Sequence, residues 1–479
     1  MDQPNIDHIS DFPDKLNPML VKELRQGLRG VSFVILFIAV QAFLCFILLV
    51  TAAVASHENA GSYLSQIIFF FFSVAVLVVQ PLRGITALSA EIRGDTIDLL
   101  SLTKLSAWRI TFGKWVSIVS QSGLILTAIV PYLILRYFFG DMQMFAEILL
   151  LLSTFLLSAT FTAITVGLSG MSSVVIRVLF PISGAFIAFI MIWSMYFGGR
   201  NNYQEIIQLV SLTDATTTLT FTGFVSASIY LAWMCLDLGT SMIAPIAENR
   251  SSLRRMVSLG LIIITVLAFA FAGVSPFGAI VIGLALCIPI SMISLTENPQ
   301  LVSPIVRPYT RKGTVGKLVG RLLYPGWATG LLYVILLYGV MRALVMFHVS
   351  RGAHVGQWDI IVLNSVFAAL FFPLALTRIF ARKQENRFGL FILFVCTQFL
   401  IVLVVFAVES FSSGLHIMPY FFWIPTSFHF LNGPSGIPAD THVYASYFNL
   451  TIYAAIALVT TLPVWKHINH VERPTTDDQ

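Results

Sequence analysis

Charge is scarce in this chain: Asp, Glu, Lys and Arg make up 11% of its 479 residues, against 57% hydrophobic ones. A soluble domain carries about a quarter charged residues, so the soluble globular and the polar disordered classes are both excluded. Cysteine is scarce as well. Cys45, Cys235, Cys287 and Cys396 lie far apart inside apolar runs, which excludes a CxxC-type metal framework and predicts small buried apolar side chains. No Walker A sequence is present: Gly313-Thr-Val-Gly316-Lys317-Leu318 has too few residues between its glycines and no Ser or Thr after the lysine. Neither a hydrolase elbow nor a paired-carboxylate site is recognisable, so the chain is not expected to be an enzyme. No cleavable leader is expected either, because Met1 to Asn17 is polar and acidic and the first apolar run follows Gly30.

What the chain has in abundance is apolar runs. A span needs about 20 mostly apolar residues, and on that basis the sequence predicts an all-α, polytopic membrane bundle of about twelve spans. They fall at 31–55, 63–81, 112–135, 145–168, 174–197, 221–244, 256–273, 276–295, 326–347, 359–377, 388–408 and 445–465. Ser275-Pro276 favours the turn that separates the seventh from the eighth. The net charge of +5 is dispersed among the loops rather than clustered, which argues for topology and against nucleic acid as a partner. With an even span count and both termini cytoplasmic, only Arg136, Arg200, Arg342 and Arg351 fall outside; every other Lys and Arg falls inside.

Two stretches before the third span carry pattern as well as hydrophobicity. From Asp14 to Gly30 the chain reads as an amphipathic helix on the membrane surface. Asn17 is its N-cap, Pro18 its first residue, and Leu20, Leu24 and Leu28 its apolar stripe among Lys22, Glu23, Arg25, Gln26 and Arg29. The second stretch is the charged loop between Pro81 and Lys114. Asp95 can cap a short helix beginning at Thr96, with Asp98 in a loose capping-box position, and Ser106 can cap the next helix. Ile97, Leu100, Leu102 and Leu105 supply apolar contacts, while Arg93, Asp95, Asp98 and Lys104 keep the segment out of the bilayer. Such a loop suits contact with another protein.

The run Glu91, Thr96, Ile97, Asp98, Leu99, Leu100, Leu102, Thr103, Leu105 and Ser106, with Lys114 beyond it, resembles the coupling loop of ABC-2 type transporter permeases. Asp95 stands where that family usually has Gly, and Lys104 where it usually has Pro. Asp tolerates the backbone conformation Gly is used for; losing the Pro removes a fixed turn. The phrase NPMLVKELRQGLRG from Asn17 resembles the family's elbow helix. The resemblance implies a cytoplasmic coupling helix resting on a separate ABC ATPase subunit that holds ATP and Mg, with membrane lipid and a second permease copy as further partners. It also implies a bacterial inner-membrane location and an export function.

The resemblance covers the N-terminal half, dividing the chain into a tail and elbow helix (1–30), a six-span permease module (31–250) and a second six-span module (251–479). The second module either completes the transporter or is accessory to it. It repeats only Asn298-Pro299-Gln300-Leu301-Val302, against Asn17-Pro18-Met19-Leu20-Val21. Among ionisable groups inside spans, Asp237 stands out in the inner third of its span, where it could pair with Arg250 or Arg254 or couple an ion. An ATP-independent secondary transporter using Asp237, or a non-transporting scaffold, are the alternatives. Gln41, Gln66, Gln80 and Gln121 suit either a translocation path or interhelical hydrogen bonds. Between Glu409 and Ala445 the aromatic, Lys- and Arg-free loop is expected at the headgroup level. Its His416, His429 and His442 are evenly spaced, but a flexible loop is a poor metal scaffold and no metal is expected.

Overall fold

The computed structural model describes residues 18–54, 60–93, 106–138, 143–198, 202–245, 248–273, 275–298, 301–352, 354–380, 387–411, 417–429 and 439–472, and every regular element among them is helical. Twelve of these helices are long and apolar enough to cross a membrane. In order they are Val31–Val50, Tyr63–Thr86, Ala107–Tyr137, Met144–Leu168, Val175–Phe197 and Thr217–Ile243, then Arg250–Phe271, Pro276–Thr296, Trp327–Ser350, Gln357–Phe380, Arg387–Glu409 and Asp440–Val471. A helix satisfies its own backbone polar groups, which is what lipid demands of any spanning segment. Each predicted run has its helix. The ends extend further than the apolar runs, as at Ala107 and Val471, because turns that reach past the hydrocarbon need not be apolar.

The predicted break between the seventh and eighth spans is present and has a local cause. Gly273 takes a left-handed φ of 74°, the Ser275 hydroxyl accepts from the Gly278 N–H, and Pro276 opens the next helix.

The chain forms two compact units, Met1–Ala244 and Pro245–Gln479. In the first, a core of Leu64, Phe69, Phe72, Val76, Ile125 and Ile129 joins the second and third spans. The fourth and sixth spans meet backbone to backbone: a Cβ on Gly167 would lie 2.1 Å from the Cys235 carbonyl oxygen. Lipid tails are as apolar as leucine, so helices in a bilayer associate through such close small-residue packing and interhelical hydrogen bonds. Thr160 supplies one, donating to the Ser228 carbonyl at 3.3 Å.

Two spans of this unit contain a π-helical turn directly before a proline. Val74–Val79 precedes Pro81, and Val175–Leu179 precedes Pro181. Proline removes an amide donor and its ring crowds the carbonyl one turn back; the wider turn relieves that, with Gln80 N–H reaching Ala75 O and Phe180 N–H reaching Val175 O. The Ser158 hydroxyl donates to the Val76 carbonyl at 2.6 Å within the first of these turns.

Two expectations are corrected. Cys287 is buried, but Cys45 and Cys396 are exposed, because in a membrane bundle an apolar run faces lipid as readily as it faces protein. The described part of the long aromatic loop, residues 417–429, packs in part against the spans instead of lying wholly at the headgroup level. Met418 and Ile424 pack against Ile361 and Val402, and Thr426 and Ser427 are fully buried. Thr426 donates to the carbonyl of Gln398, midway along the eleventh span, and Asn449 and Tyr453 of the twelfth donate to the carbonyls of Phe422 and Trp423. Irregular backbone is tolerated at that depth only where protein covers it and satisfies its polar groups, which these side chains do.

Candidate functional site

The N-terminal amphipathic helix, Pro18–Leu28, lies along the first turns of the third span. Leu20, Leu24 and Leu28 are half-buried, whereas Lys22, Arg25 and Arg29 are exposed; Asn17, its predicted cap, lies outside the described residues. The contact is close at Gly27, where a Cβ would sit 2.4 Å from the Gln121 amide nitrogen and 2.9 Å from the Ser117 hydroxyl. Ser117 in turn donates to the Glu23 carbonyl at 2.8 Å.

Lys114 is the centre of the arrangement. Its ammonium donates to the carboxylates of Glu23, at 3.2 Å, and Glu91, at 3.0 Å, and all three side chains are largely buried. An ammonium has three donors on one compact charge, so a single lysine can tie together elements that share no backbone hydrogen bond. Here it ties the amphipathic helix to the third span and both to the short helix Ser89–Arg93, which leads into the charged loop. Lys114, Ser117 and Gln121 recur at helical spacing and so share one face, a polar stripe on an otherwise apolar span.

The start of that loop is seated twice more. The Leu88 amide donates to the Ser169 hydroxyl at 2.9 Å, and the Leu88 side chain packs with Ala163, Val166 and Leu236. Arg83, one turn earlier, donates to Gln121 and to Gln80, and its guanidinium lies 5.7 Å from the Phe33 ring centroid. Two of the four glutamines are therefore engaged by an arginine at the end of the second span. At the far side of the loop Ser106 occupies the N-cap position of the third span. Its carbonyl accepts from Arg109 and Ile110, but its hydroxyl makes no capping bond, so the predicted cap is a main-chain one.

Of the predicted coupling residues, Glu91 and Ser106 thus flank the loop. Thr96, Ile97, Asp98, Leu99, Leu100, Leu102, Thr103 and Leu105 lie outside the described residues. Sequence reasoning named Glu91 and Lys114 in one stretch and Glu23 in another, and missed that the three converge. It also missed Ser117 and Gly27, for which the polar stripe of the third span was the available signal.

Asp237 is fully buried in the sixth span. Arg250 pairs with Glu248, and Arg254 with Glu297 at 3.3 Å. Of the loop histidines, His442 stacks on Trp358 with centroids 6.4 Å apart; His416 and the His429 side chain lie outside the described residues. Among the described residues no group of three or more His, Cys, Asp or Glu is placed to hold a metal ion.

Among the described residues, twelve helices long and apolar enough to cross a membrane define a multi-pass helical membrane protein. Comparison with protein-family models, with curated proteins and with solved structures finds no match to this chain.

Proposed function

We propose that the chain is the permease subunit of an ATP-driven, ABC-2 type export system, coupled through the loop after Arg93 to a separate ATPase subunit that binds ATP and Mg. The observation that carries this reading is the Lys114 bridge. A loop can transmit force from a partner only if its root is fixed to the parts that must move. The root here is held by Glu91 on Lys114 and by Leu88 between spans, and the same lysine holds the amphipathic helix through Glu23. Displacement of the loop by a partner would therefore shift the third span and the amphipathic helix together. The proposed setting is a bacterial inner membrane with both termini cytoplasmic, with lipid and a second permease copy as further partners.

The test is purification of the tagged chain from its native cells in mild detergent, with mass identification of co-eluting proteins. A stoichiometric P-loop ATPase is expected with the wild type. It is expected to be absent from the Leu99→Asp/Leu100→Asp variant, because two carboxylates at the apolar centre of a docking loop leave unpaired charge in the contact. Equal ATPase recovery with the double variant contradicts the assignment.

A second reading, an ion-coupled secondary transporter, is favoured by one observation: Asp237 is 0% exposed inside a span, and intramembrane carboxylates commonly carry ions or protons. It predicts transport that follows an ion gradient without any ATPase and is abolished in Asp237→Asn. Transport that persists in that variant removes this reading.

A further inference from the structure

Between the eighth and ninth spans the chain forms two short amphipathic helices, Ser303–Thr310 and Gly313–Leu323. They are fixed in place. Ile305, Val306 and Tyr324 pack with Ile468, the Tyr309 and Tyr324 rings meet edge to face at 5.4 Å, and Ser252 donates to the Leu323 carbonyl at 2.7 Å. Arg321 is bound to Glu472 at 2.7 Å and to Asn469 at 2.8 Å, and the hydrogen-bonded Glu472 carboxylate holds its guanidinium above the ordinary arginine range. Gly316 fits against the Tyr309 carbonyl, where a Cβ would come within 2.2 Å.

This fixed pair and the start of the seventh span enclose a groove of about 700 Å³. Its walls are Leu253 and Met256 from the span, Ile305 and Tyr309 from the first short helix, and Val315 and Val319 from the second. The volume lies within the range of pockets that enclose small ligands. Val315, Leu318 and Val319 stay 75%, 64% and 40% exposed on the second helix, and Leu253 and Met256 are exposed on the span. A helix with this apolar face and a basic opposite face lies in the bilayer interface.

The two short helices carry charge of one sign. Lys312 lines the groove, Arg307, Arg311 and Lys317 lie on or beside the same two helices, and no Asp or Glu occurs between Glu297 and Asp359. This is the end of the spans that the Lys and Arg bias places in the cytosol, where the leaflet is rich in anionic lipid and each basic residue near the surface attracts it. Arg321 is committed to Glu472, and Lys317 lies on the opposite face of the second helix, which leaves Lys312, just before that helix, as the cation that lines the groove.

We propose that this groove is a binding site for a single anionic phospholipid, whose acyl chain lies along Leu253, Met256, Val315 and Val319 and whose phosphate is met by Lys312. The site is independent of the loop after Arg93 and of any ATPase. Bound lipid would fasten the interfacial pair to the seventh span, so it would add to the stability of the second unit.

Native mass spectrometry of the full chain in detergent, with phosphatidylglycerol or phosphatidylcholine of identical acyl chains added, tests the proposal. One phosphatidylglycerol is expected to remain bound, with affinity about fivefold above phosphatidylcholine, the effect of one basic contact. Lys312→Ser is expected to erase that preference, and Met256→Trp, which fills the groove, to erase retention of both lipids. Because Lys312 is exposed, its variant tests the site even if the tryptophan variant fails to fold. Equal retention of the two lipids by the wild type overturns the proposal. So does phosphatidylglycerol retention unchanged in the lysine variant, or its displacement by inorganic phosphate at equal concentration, which would make this a phosphate site with no role for the chain.

Discussion

Replacing Glu297 with Ala is expected to destabilise the second unit by about 3–5 kcal/mol, the cost of breaking a buried ion pair from one side. Glu297 follows the last turn of the eighth span and is the only carboxylate shown facing two arginines, Arg255 at 2.7 Å and Arg254 at 3.3 Å, of which Arg255 is fully buried. It also accepts from the Ser251 hydroxyl at 2.8 Å, and its main-chain carbonyl accepts from Trp327 at 3.1 Å. One residue thereby joins the seventh, eighth and ninth spans. Arg255 extends the junction by donating to the carbonyls of Leu322 and Gly326, and Tyr333 closes it by donating to the Arg255 carbonyl. Without Glu297, the Arg255 guanidinium keeps its neutral acceptors but loses its counter-charge. Glu297→Gln preserves an acceptor and the shape, so it should lose less than Ala. The measurement is the thermal aggregation midpoint of each variant in mild detergent, followed by size-exclusion fluorescence. A midpoint equal to wild type for Glu297→Ala would show that water reaches the two arginines and that the junction is held by packing alone.

The spans were legible because lipid makes the same demand along each one, namely about 20 apolar residues and a self-satisfied backbone. The amphipathic helix at Pro18 and the break at Pro276 were legible for a different reason, since capping and proline chemistry act over a few residues. What was illegible depends on residues far apart in the chain. Nothing near Lys114 announces that Glu23 and Glu91 will both reach it. The anchoring of the aromatic loop at Phe422, Trp423 and Thr426 was missed because its partners, Asn449, Tyr453 and Gln398, sit in other spans. A better reading would have asked why those polar residues occur at span depth, since each must find a partner there. Glu409 belongs to the same set: it accepts from the Met418 amide at 3.1 Å and so holds the returning segment. The junction before the loop after Arg93 was half legible, since Glu91 and Lys114 were singled out by pattern while their convergence with Glu23 required the fold.

Arg136→Met is expected to destabilise the first unit by a similar amount, about 3–5 kcal/mol, although Arg136 looked like an ordinary charge at a span end. Its side chain is 1% exposed and that of its partner Glu147 3%, so removal of the cation leaves a carboxylate with neither water nor counter-charge. Burial and the nearby Glu147 carboxylate also raise the Tyr203 phenol well above its ordinary range, consistent with a tyrosine that stays neutral and cannot replace the lost cation. The informative companion is the double variant Arg136→Met/Glu147→Leu. Apolar residues of similar volume remove both desolvation costs, and such replacements are often neutral or stabilising by about 1–4 kcal/mol. The double variant should therefore recover most of what the single one loses, and the coupling read from the cycle should be about 3 kcal/mol. If the two single variants and the double are equally destabilised, the pair is not what these side chains contribute, and packing of the third and fourth spans at this end depends on their volume instead.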